Sequence, residues 1–362
     1  MDSNKELKDC KHIIIVTPNI YRLGGVANHY LGLKPHWKQK VTYQNYGKQK
    51  NIPAIIMFPI DILVFIYRLI FLRPDCVIIN PSLRRYQIFR DSLYLLLSRL
   101  FKTKVITFFH GWDFKLYIKI KNKPFLFRWV FNKALFIYVL HSQFKNQLLE
   151  IGIYVPILLT TTKVNDEYLI NFEISKRTGS VKNILFLARI EVYKGIYEAL
   201  KTYEILTSFK SDLQLTIVGS GSELSNVQKY VKRNNLKNVK IKGVKIGNEL
   251  IDEFLSADLY LFPSYAEGMP TSVLEAMAFG LPIVSSSVGG LNDFFENGKM
   301  GYLIPNCEPD NYVSAINKLI DDPVMTETIS NYNHNYAIKH FLASNVANRI
   351  ESDINDNCNK TI

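Results

Sequence analysis

The run Ser264-Tyr-Ala-Glu-Gly-Met-Pro-Thr-Ser-Val-Leu-Glu275 carries two carboxylates across a change of secondary structure. It follows the apolar run Leu259–Phe262, which reads as a buried strand. Pro270 with Thr271 or Ser272 supplies helix-start signals, Ala276, Met277 and Ala278 continue a helix, and Gly280 and Pro282 end it. Glu267 is therefore expected in the strand-to-helix loop and Glu275 about one turn into the helix. Both then point toward the carboxyl end of a sheet, where open α/β sheets bind ligands. The helix start offers free N–H groups and a positive dipole end to an anion. Carboxylates accept from vicinal sugar hydroxyls, each charge-assisted hydrogen bond being worth about 1.5–3 kcal/mol. Spacing alone says little: with 16 glutamates in the chain, a pair at this separation arises by chance about as often as not. The setting informs: strand, Glu-Gly-x-Pro, helix, Glu, Gly-x-Pro, strand.

Outward from this run, short apolar stretches alternate with helical periods, the pattern of parallel α/β sheets with crossover helices. Ile13–Thr17, Cys76–Asn80, Val105–Phe109 and Phe136–Leu140 read as strands of one sheet. Ile184–Ala188, Gln214–Val218, Val239–Lys242, Leu259–Phe262 and Ile283–Ser286 read as strands of a second. The polar stretch Asn171–Lys182 reads as the linker, and 362 residues suit two domains. The expected division is 1–172, 173–338 and a terminal helix with a polar tail over 339–362. Phe341, Val346 and Ile350 mark that helix.

Nearly half the residues are apolar, so the chain is expected to bury real cores. Cys10, Cys76, Cys307 and Cys358 show no paired spacing, which reads as reduced thiols without a disulfide framework or zinc site. The stretch Met1 to Lys11 is polar and mixed in charge, unlike a signal peptide. Charge is lopsided. Residues 1–170 hold 25 Lys and Arg against 10 Asp and Glu, and the remainder 19 against 22. A second anion, such as anionic lipid, is expected to meet the first half. No nucleic-acid motif accompanies the basic half, so nucleic acid is not an expected partner.

Ile52 to Leu72 is apolar and long enough to span a bilayer. Asp61 at its middle, Pro59 and Arg68 argue against spanning, and it leads into the strand at Cys76 as a crossover helix would. A core helix is the default expectation, with a helix partly immersed at a membrane surface as the alternative. Tyr86–Phe101 and Pro124–Phe136 are also rich in aromatics, leucines and arginines, and either share that role or simply pack.

The motifs of the second half resemble the retaining GT-B glycosyltransferases with the Glu-x7-Glu signature, the group 1 glycosyltransferases. The resemblance is densest over residues 183–310. It implies two Rossmann-like domains with parallel sheets facing a central cleft, and a final helix that packs back on the first domain. It also implies transfer of a sugar from a nucleotide donor with retention, without metal or other cofactor. Arg189 ends a strand and Lys194 follows shortly after; the family's Arg and Lys there hold the diphosphate and stabilise the leaving group. Glu267 would position the donor sugar and Glu275 the ribose, with Gly268, Met269, Pro270 and Thr271 at the same loop. Val218-Gly219-Ser220-Gly221 resembles the turn beside the nucleotide, and Gly243-Val244 the segment that grips the base.

In the first half, Leu23-Gly24-Gly25-Val26 resembles the glycine loop that approaches the donor phosphate. His110, in Phe109-His-Gly-Trp-Asp113, resembles the family's histidine beside the donor sugar, and Asp113 is a candidate for the acceptor. Leu159-Thr-Thr-Thr-Lys163 departs from the Asn-Gly segment usual at that point, which bears on acceptor contacts.

The resemblance and the basic first half together point to a nucleotide-sugar donor and a lipid-linked or glycan acceptor. They also point to bacterial surface polysaccharide synthesis, peripheral on the cytoplasmic face of the plasma membrane. A non-enzymatic nucleotide-sugar-binding or membrane-surface scaffold is the alternative.

Overall fold

The computed structural model describes residues 10–22, 24–47 and 52–359. The expectations for the polar stretch before Cys10, for Leu23 of the glycine loop and for the last three residues of the tail lie outside the described residues. The chain divides into two compact units, Met1–Lys163 with Ala343–Ile362, and Val164–Leu342.

The first unit is a six-stranded sheet of order β2-β1-β3-β4-β5-β6, parallel throughout. Its strands are β1 (His12–Pro18), β2 (Lys40–Tyr46), β3 (Cys76–Ile79), β4 (Lys104–Phe109), β5 (Phe136–Val139) and β6 (Ile157–Leu159). The crossovers are α1 (Gly25–Leu33), α2 (Ala54–Leu72), α3 (Arg85–Leu100), α4 (Phe114–Asn122), α5 (Phe125–Phe131) and α6 (Ser142–Ile151). Ile13, Ile14, Ile15 and Val16 of β1 are fully buried, as a central strand covered on both faces requires. The expected strands were the apolar interior ones. The expected set lacks β2 and β6, both at sheet edges, where one side goes unpaired and the sequence need not be continuously apolar.

The second unit is another parallel six-stranded sheet, of order β12-β11-β10-β7-β8-β9. Its strands are β7 (Asn183–Leu187), β8 (Gln214–Val218), β9 (Val239–Ile241), β10 (Leu259–Phe262), β11 (Ile283–Ser286) and β12 (Gly301–Ile304). Its helices are α7 (Ile196–Thr207), α8 (Leu224–Arg233), α9 (Asn248–Ser256), α10 (Thr271–Ala278), α11 (Pro309–Asp321) and α12 (Pro323–Phe341). Of these strands only β12, again an edge, is absent from the expected set. α10 is largely buried, its Val273, Leu274, Ala276, Met277 and Ala278 fully enclosed, which explains why its sequence is apolar past the first turn except at Glu275.

The final helix, α13 (Ala343–Asn359), belongs to the first unit; its segment starts at Ala343 rather than at residue 339, because α12 runs on through Phe341. Glu351 Oε1 accepts from the backbone N–H groups of Lys38 (2.8 Å) and Gln39 (2.9 Å), and Tyr138 donates to Asp353 (2.8 Å).

Three expectations are corrected. The unit boundary falls at Lys163/Val164 rather than after residue 172, because Val164 is fully buried in the second unit's core and its N–H bonds to Phe341 O at 2.7 Å. The polar stretch Asn171–Lys182 is not a free linker. The Arg177 guanidinium donates to the backbone carbonyls of Phe254 (2.8 Å), Phe279 (3.0 Å) and Ala257, and Phe172 packs on Phe279. Lastly, α2 is not a core helix. It runs unbroken through Pro59 and buries only Met57, Asp61, Phe65 and Leu69, one narrow stripe against the sheet.

Candidate functional site

In the second sheet the strand order reverses between β7 and β10, since β8 and β9 lie to one side and β11 and β12 to the other. Ligands of open α/β sheets bind outside the carboxyl ends of the strands at this switch point. A cavity of about 440 Å³ opens there. Its walls come from the end of β7 (Leu187 to Arg189), the end of β8 (Val218 to Ser220), Val244 and Lys245 after β9, and the β10–α10 loop.

Two glycines set its shape. Gly195 has φ 74°, and a Cβ there would sit 1.8 Å from Pro263 O, so the turn carrying Lys194 lies directly on the end of β10. Gly219 has φ 143°, and a Cβ would sit 1.9 Å from Ala188 O, so the turn after β8 presses on the end of β7. Tyr260, buried in β10, donates its hydroxyl to Leu187 O (2.8 Å) and lies 2.7 Å from Ser272 Oγ, joining both central strands to the start of α10. No side chain caps α10, and Pro270, Thr271 and Ser272 at its start line the cavity. That leaves the helix's positive end for a ligand.

Lys194 Nζ donates to Glu267 Oε1 at 2.5 Å, and Ser264 Oγ donates to the same oxygen at 2.7 Å. Both members of the ion pair are only about a tenth exposed, at 13% and 11%. Arg189 lies over the Tyr193 ring at 5.4 Å and is exposed. Lys245, held loosely by Glu249 at 3.4 Å, adds a third cation to the wall. With three cations, one carboxylate and a helix start, the cavity favours a compact polyanion.

The cavity thus brings together the expected residues Arg189, Lys194, Gly219, Val244, Glu267, Met269, Pro270 and Thr271. Gly268 and Glu275 are not among its lining residues. Gly268 O instead accepts from Gly290 N at 2.6 Å, and Glu275 is buried in α10. The sequence reading missed Lys245, Ser220, Ser272 and Leu250 as lining residues. Ser220 and Ser272 sit directly beside expected positions and Lys245 follows Val244. Leu250, in α9, carried no local signal.

The first unit has its own group at the carboxyl ends of β3 and β4. Asn80 Nδ2 donates to Val16 O (2.9 Å), so its Oδ1 faces the Tyr30 hydroxyl (2.7 Å) and His110 Nε2 (3.0 Å). That arrangement makes Nε2 the protonated nitrogen of His110 and leaves Nδ1 as an acceptor. The ring packs on Phe108 at 3.7 Å, and burial pushes its pKa down to about 3, so the imidazole is neutral at physiological pH. Asn80 and Tyr30 went unremarked in the sequence; Asn80 was visible only as the last residue of an apolar strand. Gly24 precedes α1 and its carbonyl accepts from Asn28 N at 2.8 Å, while Gly25 opens the helix with free space around it. Asp113 caps α4, its Oδ1 accepting from Leu116 N at 3.0 Å. This orients the loop after β4.

Among the described residues no group of three or more His, Cys, Asp and Glu is placed to hold a metal.

Two parallel Rossmann-like units in one chain form the GT-B fold. A sucrose-phosphate synthase from Thermosynechococcus elongatus superposes with a TM-score of 0.76 at 17% identity, covering 96% of this chain and 98% of the other. The Anabaena protein HepE, solved with UDP and glucose, gives 0.72 at 14% identity, covering 95% and 99%. Within this fold, residues 169–336, which include the whole cavity, match the family described as "Glycosyl transferases group 1". A D-inositol 3-phosphate glycosyltransferase of Paenarthrobacter aurescens is 34% identical over 145 residues, which are 39% of this chain and 36% of that protein. A capsular polysaccharide biosynthesis glycosyltransferase of Staphylococcus aureus is 24% identical over 170 residues, 47% and 45% respectively. The match thus spans less than half the length of either relative.

Proposed function

We propose that the protein is a retaining glycosyltransferase that moves a sugar from a nucleoside-diphosphate donor to a glycan or lipid-linked acceptor. The observation that carries this is the switch-point cavity, where Lys194 and Glu267 meet beside Arg189, Lys245 and the bare start of α10. Negative charge grows on the diphosphate as the glycosidic bond breaks, and fixed cations aimed at it stabilise that charge. Arg189, Lys194 and Lys245 take this role in the proposal, with Val244 and Gly219 beside the nucleoside. Glu267 holds sugar hydroxyls rather than acting as a base. The acceptor hydroxyl attacks on the face from which the nucleotide departs, and the leaving phosphate accepts its proton. Glu275 shapes α10 from within, and in the first unit the neutral His110 offers Nδ1 as an acceptor to a ligand.

The likeness to the capsular relative supports a place in surface polysaccharide assembly; the proposal further sets this work on the cytoplasmic face of the plasma membrane and needs no metal cofactor. The test is calorimetry with a panel of nucleoside diphosphates and matching monophosphates, followed by transfer assays with and without chelator. Lys194→Ala is expected to weaken the diphosphate at least tenfold and the monophosphate much less. Equal losses for both would remove the diphosphate from this cavity. Donor binding without any transfer or donor hydrolysis would turn the reading into that of a scaffold.

A further inference from the structure

α2, α3 and α5 lie side by side on one face of the first sheet, α3 touching both neighbours. Right-handed crossovers require this, because β2→β3, β3→β4 and β4→β5 all advance in the same direction across the sheet. The outer surface of this layer is unusual. α2 is, among the described residues, the one helix apolar and long enough to cross a membrane, yet only 22% of its most apolar window is buried. Ile55 (78%), Leu63 (67%) and Phe71 (66%) stand in solvent. Its two charged side chains are both engaged inward: Asp61 accepts from Gly47 N (3.1 Å) and Arg68 donates to Tyr43 O (2.8 Å). Phe65 and Leu69 on its inner side belong to the unit's core. The helix is thus pinned to the sheet along one stripe and presents an uncharged apolar ridge along the other.

Two adjoining hollows continue this layer. One, of about 430 Å³, is a groove between α3, α4 and α5 floored by Leu93, Leu96 and Val130, with Phe89 and Leu126 at its rim. The other, of about 940 Å³, holds Arg99, Lys102, Lys104 and Lys133 and no carboxylate. They share Leu96 and Trp129, and the Lys133 ammonium lies 4.7 Å from the Trp129 ring. An apolar trough opening directly into a basic basin, beside an apolar ridge, matches an amphiphile with an anionic head.

We propose that this face docks on an anionic phospholipid leaflet. Lipid headgroup phosphates enter the basin lined by Arg99, Lys102 and Lys133, an acyl chain lies in the Phe89–Leu126 groove, and α2 rests at the headgroup boundary. Contiguous exposed apolar surface of this kind marks an interaction site, and the cations fix its partner as anionic lipid rather than neutral lipid. The inference deepens the membrane-side placement proposed above, but it rests on the first unit's surface and not on the second unit's cavity.

Flotation of the full chain with phosphatidylcholine–phosphatidylglycerol vesicles, against phosphatidylcholine alone, tests it. Binding is expected only with the anionic vesicles, falling as salt rises. Removing cations with Arg99→Ser and Lys133→Ser together is expected to weaken it at least tenfold, at about fivefold per cation. Leu126→Ser with Phe89→Ser is expected to weaken it similarly. Both pairs are surface changes, and an unchanged circular dichroism spectrum and melting temperature check that each variant is folded. Acyl chains carrying bromine should quench wild-type tryptophan emission, and Trp129→Phe should abolish that quenching. Binding to neither vesicle, equal binding to both, or quenching that survives Trp129→Phe overturns the proposal. So does a stable dimer in dilute buffer that shields Trp129, which would assign the face to a second copy of the chain. Vesicle binding without nucleotide binding would leave this inference standing and sink the transferase reading; the reverse result would do the opposite.

Discussion

Glu267 and Lys194, which sit in separate strand-to-helix connections, meet at 2.5 Å over the carboxyl end of the second sheet. Neither is free in this structure: a ligand that takes Lys194 must share it with Glu267, and Ser264 already holds the same carboxylate oxygen. A sugar nucleotide resolves this competition by offering a diphosphate to the ammonium and hydroxyls to the carboxylate.

Replacing Glu267 by glutamine should therefore separate binding from transfer. Glu267→Gln keeps the shape, removes the negative charge and releases Lys194. A nucleoside diphosphate is expected to bind at least as well as to wild type, while kcat for transfer falls about 10²–10³-fold. Turnover close to wild type, with the circular dichroism spectrum unchanged, would falsify the role given to Glu267.

Gly195→Ala should damage the second unit by a steric route. The new Cβ would meet Pro263 O in a backbone conformation that non-glycine residues seldom adopt. The strain is about 1–3 kcal/mol before any shift of β10 is counted. A lowered melting temperature is expected, with loss of nucleotide affinity as Lys194 moves. Gly25→Ala, whose Cβ meets nothing within 4 Å, is the control and should melt like wild type.

His110 should impose a pH dependence on stability. Its imidazole protonates near pH 6.5 when unfolded and only near 3 when folded, because burial disfavours the cation. Between those values the unfolded state binds the more protons, so His110 costs no stability above about pH 6.5 and progressively more as pH falls toward 3. The fall in melting temperature from neutral to pH 5 should be shallower in His110→Asn than in wild type. Parallel curves would mean that the ring titrates as it does in water.

Arg177→Ala should show that the polar stretch before β7 is structural. It leaves three backbone carbonyls, those of Phe254, Ala257 and Phe279, without their donor. Each buried unsatisfied group costs about 1–3 kcal/mol, so a loss of several kcal/mol is expected in urea unfolding. A change below about 1 kcal/mol would restore the reading of this stretch as a linker.

The α/β class, the interior strands and the helix that begins at Thr271 were readable in the sequence alone, since these follow from local apolar runs and from proline and glycine punctuation. Most of the cavity's residues were legible for the same reason: a parallel sheet puts strand-end loops at one edge, so Arg189, Gly219 and Glu267 could be placed together without coordinates. Which side chains turn inward depended on long-range packing. The backbone carbonyls facing Arg177 come from distant segments, and so does Leu250 in the cavity wall. Glu275 is buried on α10, one turn past the residues of that helix that line the cavity. The edge strands β2, β6 and β12 owe their pairing to neighbours rather than to their own composition. For α2 the sequence showed an apolar helix, and only packing against the sheet decided that one stripe is core and the rest faces outward. The Glu-x7-Glu spacing marked the site, but the contact that defines it, Glu267 with Lys194, depends on Gly195 letting two loops touch.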